Sequence, residues 1–378
     1  MKAVQYTKVG NPADVLTLAE NLPLPVPTGS NILIKMNATS INPVDWKAMK
    51  GAFPRYLMPK IKTPGLDIAG VVVGLGPNVG KSNKPGVQKF AIGDRVMAMQ
   101  HLSHGGTWQD YSLVDESYVI KTPAEWDDSA AAAFPAVGVS VYKGLVVTAR
   151  IKSGDKVLVN GASGGTGSIA VQMATALGAS VVGICSKTNV DLVKNLGAVD
   201  VVDYTTTKVY EKYTNKDFDI VLDAVGTPEV RNAPTHLIFP HLNTPTHAAL
   251  TFLPFHSNVF LQLYANSGNL LKPTGRFIQI AVSDEALFSI VGGLHLVAQV
   301  AGRMLYSFLT RGPSFSTYPT TADGEQLAAA THIMVRANAR PTVEKEYLFE
   351  FDQVLEAIAF SQTGRVKGKI VIIAPGHQ

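Results

Sequence analysis

The sequence predicts an α/β protein in which a doubly wound parallel sheet follows a separate β-rich unit. Short apolar strand-like runs alternate with helical stretches between residues 156 and 281. A glycine-rich turn joins the first of these runs directly to a helix. The first third of the chain is dominated instead by β-type runs punctuated by Pro and Gly. At 378 residues the chain exceeds what one hydrophobic core usually covers, so two domains are expected.

Taken in order, Ile32–Asn37, Ile68–Leu75, Arg95–Met99 and Tyr111–Leu113 read as strands of an all-β, partly barrel-like unit. Gly74–Gly93 reads as a loop. From Asp127 the texture changes, with helices expected over Asp127–Phe134 and Val139–Ala149. Strands at Lys156–Asn160, Ser180–Cys185, Val199–Asp203, Asp219–Asp223 and Gly275–Ala281 follow, with helices such as Gly167–Leu177 and Asn189–Leu196 between them. Apolar strands joined by helices make βαβ units and a parallel sheet covered on both faces. A helix over Gly324–Ala337, a strand over Val343–Phe349, a helix over Phe351–Ser361 and a strand over Lys369–Ile373 close the chain.

Ala286–Leu309 is long and apolar, but Arg303, His295, Gln299 and three glycines interrupt it. An arginine near a bilayer centre costs at least about 2.5–3.5 kcal/mol, so a buried or interfacial helix is expected there rather than a span.

Composition excludes several function classes. Hydrophobic residues are 46% and charged residues 16%, too apolar and too weakly charged for a disordered chain. The net charge of +4 comes with no Lys/Arg stripe, which argues against a nucleic-acid partner. A single cysteine, Cys185, excludes an intramolecular disulfide and a cysteine-rich metal site. MKAVQYTKVG has neither the apolar core of a secretory signal nor the Arg/Ser bias of a transit peptide, so a cytoplasmic setting is expected.

The strongest signal is KVLVNGASGGTGSIAVQMATALGA, Lys156–Ala179. A strand must reverse into a helix within a few residues while its backbone approaches a pyrophosphate closely enough to donate N–H groups. Ser163, Gly164, Gly165 and Thr166 stand where that approach happens, and the helix N-terminus adds free amides and partial positive charge. The glycine spacing is G-x-x-G-x-x-G, in the strand–turn–helix context of a Rossmann dinucleotide-binding unit. NAD-binding units carry an acid at the end of the second strand for the ribose 2′-hydroxyl. Here that strand ends VVGICSKTN, placing Ser186 and Lys187, with Asn189 just beyond, where the acid would be. A hydroxyl and an ammonium bind a 2′-phosphate that a carboxylate would repel. Tyr204 adds a phenol after the third strand, and NADPH is therefore expected over NADH.

With these motifs in place, the chain resembles a zinc-independent member of the medium-chain dehydrogenase/reductase superfamily, near its quinone oxidoreductase and enoyl reductase branches. The resemblance runs through SINPVDWKAMKG (Ser40–Gly51), PGLDIAGVV (Pro64–Val72), IGDRVM (Ile92–Met97), GTWQDY (Gly106–Tyr111), AAAAFPAVGVSVYKGL (Ala130–Leu145), LVKNLGAVDVVDY (Leu192–Tyr204), FDIVLDAVG (Phe218–Gly226) and GRVKGKIVI (Gly364–Ile372). It implies a GroES-like catalytic domain over residues 1–126 and an NADP-binding Rossmann domain over 127–283. Residues 284–378 would supply the apolar helical segment and a return to the Rossmann edge and the catalytic domain. Zinc-dependent relatives carry a catalytic Cys, a His-Glu pair where this chain has GLDIAG, and a four-cysteine lobe. None of these is present here, so no metal site is expected.

The resemblance also implies a nicotinamide in the cleft between the domains, delivering hydride to the β-carbon of an α,β-unsaturated carbonyl, on a small or thioester-bound enone. Asn42, Asp45 and Lys47 in the NPVDWK loop would be the catalytic groups, with Lys47 as oxyanion partner or proton donor and Asp45 as a cap or as the ion-pair partner of Lys47. Tyr56 and Tyr142 are weaker donors. Val137 and Ser140 in the FPAVGVS loop, Val225, Gly226, Ile280 and the Val366–Lys367 backbone would line the cofactor. His236, His241, His247 and His256 fall at irregular spacing in Arg231–His256, which suits a substrate-entrance loop better than a metal. His101 and His104 are expected at the cleft rim. A quinone acceptor and a membrane-associated, non-catalytic relative of this fold stand as alternatives, with a homodimer and a peripheral membrane contact left open.

Overall fold

The computed structural model describes residues 1–52, 62–81, 88–101, 104, 106–226, 267–280 and 313–376. Tyr56, the four histidines of Arg231–His256 and the apolar stretch Ala286–Leu309 lie outside the described residues, as does the 283/284 boundary. Among the described residues no helix is long and apolar enough to cross a membrane.

The chain opens with an antiparallel pair, β1 (Ala3–Gln5) and β2 (Thr17–Ala19), flanking a one-turn helix α1 (Pro12–Val15). The long strand β3 (Asn31–Ile41) follows, then α2 (Pro43–Met49), β4 (Asp67–Leu75), β5 (Arg95–Met99), β6 (Tyr111–Asp115) and β7 (Val119–Lys121). Only the first part of β3, Ile32–Asn37, was legible as a strand, because Ala38, Thr39 and Ser40 break the aliphatic pattern. These small and polar residues are nonetheless buried, paired to β4 and to the last strand of the chain.

Helices α3 (Asp128–Ala133) and α4 (Pro135–Tyr142) then lead into the second sheet. Asp127 caps α3 by accepting from the Ala130 amide at 2.8 Å. The helix expected from Val139 begins earlier, at Pro135, whose fixed φ suits a first helical position. Lys143–Thr148 continues it as a π-helical turn. Val137 and Ser140 therefore lie in a helix and not in a loop, which corrects the expectation above.

The second sheet comprises β8 (Lys156–Asn160), β9 (Ser180–Cys185), β10 (Asp200–Asp203), β11 (Phe218–Asp223), β12 (Leu271–Gln279) and β13 (Ser314–Thr317). Helices α5 (Gly165–Ala176), α6 (Val190–Asn195), α7 (Val209–Lys212) and α8 (Ser267–Leu270) come between its strands. Its spatial order is β10-β9-β8-β11-β12-β13, and each strand pair is parallel. The order reverses between β8 and β11, the switch point outside which ligands bind in such sheets. Strand β12 starts before Gly275 and carries Pro273, with a register irregularity against β11. Strand β13, with only four mostly polar residues, gave no sequence signal and sits at the sheet edge.

After α9 (Gly324–Arg336) the chain returns to the first sheet through β14 (Val343–Leu348), α10 (Phe351–Gln362) and β15 (Lys369–Ile373). Strand β15 lies antiparallel to β3, with Ile370 opposite Ile41, so the two ends of the sequence share one sheet. Between the sheets, Phe134 is fully buried and meets the Trp126 ring edge-on at 4.9 Å. Asp128, at the start of α3, ties that helix to the first sheet, accepting from Arg95 at 2.7 Å and Asn37 at 2.8 Å.

Phe134→Ala should remove about 3–5 kcal/mol of stability by leaving a cavity at this seam. Urea unfolding measures it, and an unchanged midpoint would contradict the packing described.

Candidate functional site

The turn Gly161–Gly167 leaves β8 and enters α5. Gly161 sits at φ +74°, where a side chain would be strained. A Cβ on Gly167 would strike the Gly161 carbonyl oxygen, so that backbone approach needs glycine. Gly164 caps α5, and the amides of Gly165, Thr166 and Gly167 occupy the first turn, where no intrahelical acceptor exists. Asn189 donates to the Ser163 hydroxyl at 3.0 Å, tying the turn to the loop after β9. The Gly368 amide donates to the Ser163 carbonyl at 2.8 Å, so Val366 and Lys367 stand beside the same turn.

Register brings the other expected cofactor residues to one sheet edge. Asp203 pairs with Cys185, and Asp223 pairs with both Asn160 and Gln279. Ser186 and Lys187, Tyr204, Val225 and Gly226, and Ile280 thus follow the carboxyl ends of β9, β10, β11 and β12 respectively. Lys187 and Tyr204 are exposed, and the Tyr204 amide donates to the Cys185 carbonyl at 3.2 Å. Ser186 shares a 3.2 Å hydrogen bond with Thr188. One acid stands close by: Asp203 accepts from the Thr205 amide and hydroxyl and from the Lys187 backbone, and these bonds hold its pKa below the usual range. Asp223 accepts from the Asn160 side chain and from the Val225 and Gly226 amides, which shapes the turn after β11.

On the first-sheet side, Asn42 and Asp45 form a capping box on α2, with the Asp45 carboxylate accepting from the Asn42 amide at 2.8 Å. Asp45 is therefore a cap of this helix. The Lys47 ammonium, half-buried one turn on, lies 5.6 Å from the Trp46 ring centroid. The Asn42 side chain faces inward. It donates to Asp67 at 2.7 Å and accepts from Lys369 at 2.6 Å.

Asp67 and Lys369 form a buried ion pair at 3.5 Å, with side chains 0% and 5% exposed. The Lys369 ammonium also donates to the Ile41 carbonyl at 3.1 Å. Asp67 accepts further from Ser40 at 2.6 Å and from the Ala136 amide, at the start of α4, at 2.7 Å. Burial pushes the Lys369 pKa down against the pull of Asp67 and Asp45. The Lys369 stem packs on the glycine-rich turn, where a Cβ at Gly165 would lie 2.9 Å from its Cδ. Ser40, Asp67 and Lys369 were missed as site residues. Asp67 was visible as a departure within GLDIAG, but nothing in the sequence pairs it with a lysine 302 positions later.

Ser140 donates to the Ala136 carbonyl and shares a hydrogen bond with Thr320, and Tyr318 donates to the Ser140 carbonyl at 2.8 Å. Tyr142 ends α4 and packs half-buried against the core. Among the described residues no three His, Cys, Asp or Glu side chains converge as metal ligands.

Lys369→Met should destabilise the fold by about 3–5 kcal/mol, because Asp67 is left buried without its countercharge. Adding Asp67→Leu should recover much of that loss in thermal melts; equal losses in the single and double variants would refute the pairing.

Known families match along the chain. Residues 28–124 match the alcohol dehydrogenase GroES-like domain, and residues 165–238 and 255–372 match zinc-binding dehydrogenase descriptions. A trans-enoyl reductase of Aspergillus terreus is 32% identical, over 98% of this chain and 96% of its own length. The 2-methylene-furan-3-one reductase of Solanum lycopersicum is 30% identical, over 98% and 79%. Among solved structures, a mycobacterial protein complexed with NADPH aligns with a TM-score of 0.71 at 21% identity, over 99% of this chain and all of that one. The paired sheets, the glycine turn at their seam and full-length likeness to named reductases place this chain in the medium-chain dehydrogenase/reductase superfamily of oxidoreductases.

Proposed function

We propose that this chain is an NADPH-dependent, metal-free reductase of an activated carbon–carbon double bond on a small or thioester-bound enone. The observation that carries the cofactor choice is the edge after β9, where Ser186 and Lys187 stand in place of the usual acid, with Tyr204 adding a phenol after β10. The glycine-rich turn suits a dinucleotide: Gly167 lets the backbone close on the Gly161 carbonyl, and the free amides of the first turn of α5 face out of it. Ser163, Gly164, Gly165 and Thr166 would hold the pyrophosphate, with Asn189 steadying Ser163. Ser186, Lys187 and Tyr204 would hold the 2′-phosphate. Val225, Gly226, Ile280, Val366 and Lys367 would border the nicotinamide half. The bound cofactor supplies the hydride.

Zinc does not fit the residues at hand. Both Asp67 oxygens are already taken, by the Ala136 amide on one side and by Ser40, Asn42 and Lys369 on the other. Cys185 is buried on β9, in the other sheet. A conjugated acceptor suits such a site, because its carbonyl already delocalises the incoming charge. The protein's part is then to position the acceptor, exclude water and stabilise the developing oxyanion, for which Lys47 on α2 would supply the ammonium. The two relatives named for enoyl and methylene-furanone reduction support this class. A cytoplasmic setting belongs to the same proposal.

NADPH oxidation against enones, enals, acyl thioesters and quinones tests the reading, with turnover expected to be highest on the conjugated carbon–carbon double bonds. No turnover with any of them, or zinc at one equivalent that turnover requires, would overturn it. Lys187→Ala should raise the KM for NADPH about tenfold or more and leave that for NADH nearly unchanged. Lys47→Met should lower kcat with little effect on NADPH affinity, and an unchanged kcat would remove Lys47 from the mechanism.

A further inference from the structure

The hydride-transfer reading leaves unused a hollow beside α2, bordered by Tyr6, Asp45, Lys62, Thr63, His101 and His104. Its inner wall is built from side chains that rarely sit together away from water: Asp45, Lys62, Tyr6 and Thr63 are all buried. Tyr6 and Lys62 exchange backbone hydrogen bonds at 3.0 Å in both directions, which holds the two residues side by side. At the other side His101 is half-buried and His104 exposed, with their rings 5.1 Å apart and edge-on. The lining supplies the several polar partners that a bridging water requires.

The inner groups are poised for proton exchange. Burial pushes the Asp45 carboxyl up to about 7, with Asp67 adding to the rise while the Asn42 amide, Lys369 and Lys62 oppose it. Burial pushes Lys62 down against the attraction of Asp45, and burial with Asp45 pushes the Tyr6 phenol up to about 12. Burial, and then His104, lowers the His101 pKa. An acid with a pKa near the working pH is suited to give and regain protons. On its far side Asp45 contacts the Asn42 amide, at the start of the helix that carries Lys47.

We propose that this hollow is the proton store of the reaction, with Asp45 holding the proton and Tyr6 and Lys62 returning it from the His101–His104 side. The inference rests on the reductase reading. In that reaction the hydride pair forms a C–H bond at the β-carbon, and the double-bond pair shifts toward the carbonyl to give an enolate. The α-carbon then takes a proton from an N–H of the Lys47 ammonium, a bridging water returns one to that amine from the Asp45 O–H, and solvent reprotonates Asp45 through the hollow. One hydride and one proton are consumed per double bond. Asp45, Tyr6 and Lys62 are positioning residues here, acting behind the group that faces the substrate.

Asp45→Asn keeps an oxygen acceptor for the Asn42 amide and so keeps the cap, while Tyr6→Phe removes one hydroxyl and leaves both groups of the cap in place. In the wild type, kcat for an enone should fall as pH rises through about 7. Asp45→Asn should lower kcat about tenfold or more and abolish that break, with the NADPH Kd from fluorescence titration within about twofold of wild type. Tyr6→Phe should lower kcat in the same sense at unchanged Kd. Without cofactor, carboxyl 13C NMR should show one aspartate, missing in Asp45→Asn, that titrates near 7. Stability gives a further readout: the folded state binds this proton more tightly than the unfolded chain, so stability falls as pH rises from about 4 to about 7, and Asp45→Asn removes that slope. An active wild type whose kcat and pH break survive Asp45→Asn, or an Asp45 titrating in the ordinary carboxylate range, overturns the proton store alone. A wild type that reduces nothing on the acceptor panel overturns the reductase reading on which it rests.

Discussion

The Asp67–Lys369 ion pair is the constraint around which the rest of the site is arranged. Moving a charge into a protein interior is strongly unfavourable unless the charge is paired and its remaining bonds are met. Lys369 meets this condition with three acceptors, and Asp67 with donors from β3, its capping loop, α4 and β15. The partners come from three stretches of chain, residues 40–42, Ala136 and Lys369, so the pair is satisfied only when β15 is paired with β3 and α4 is packed against that sheet. The same lysine stem lies against the glycine-rich turn, which makes the turn's position depend on this assembly as well.

That dependence explains how a glycine-rich turn becomes a site. Alone, the turn offers amides and a helix N-terminus. With Gly368 bonded to Ser163, and with the carboxyl ends of β8, β9, β10, β11 and β12 in register, it stands at the switch point of the second sheet, where ligands bind in such sheets. The polar groups on the first-sheet side are held from behind, Asn42 by the ion pair and Asp45 by its cap on α2. Rigid backing of this kind holds polar side chains in place without spending binding energy on ordering them.

Much of the fold was legible because its signals are local. The strand–turn–helix at Lys156–Ala179 carries its glycines, its apolar strand and its helix start within one short stretch, and β8, β9, β11 and α5 stand close to where periodicity placed them. The replacement of an acid by Ser186 and Lys187 was legible for the same reason. Where local signals were weak, the reading failed. Strand β13 has four residues and no apolar alternation, the buried end of β3 is small and polar, and α4 begins at a proline inside a segment taken as loop.

Sequence alone determined the class of fold, the turn that suits a dinucleotide, and the lack of cysteines for a zinc site of the usual kind, since each depends on residue type at short spacing. Tertiary structure decided which polar residues work together. Lys369 reads as an ordinary lysine at the head of an apolar strand, and Tyr6 and Lys62 as unremarkable residues of the first sheet's margin. Only the antiparallel pairing of β15 with β3 and the bridge between Tyr6 and Lys62 bring them to Asp67 and Asp45. The physical reason is that burial and charge pairing depend on neighbours in space, and those neighbours are hundreds or tens of residues away along the chain.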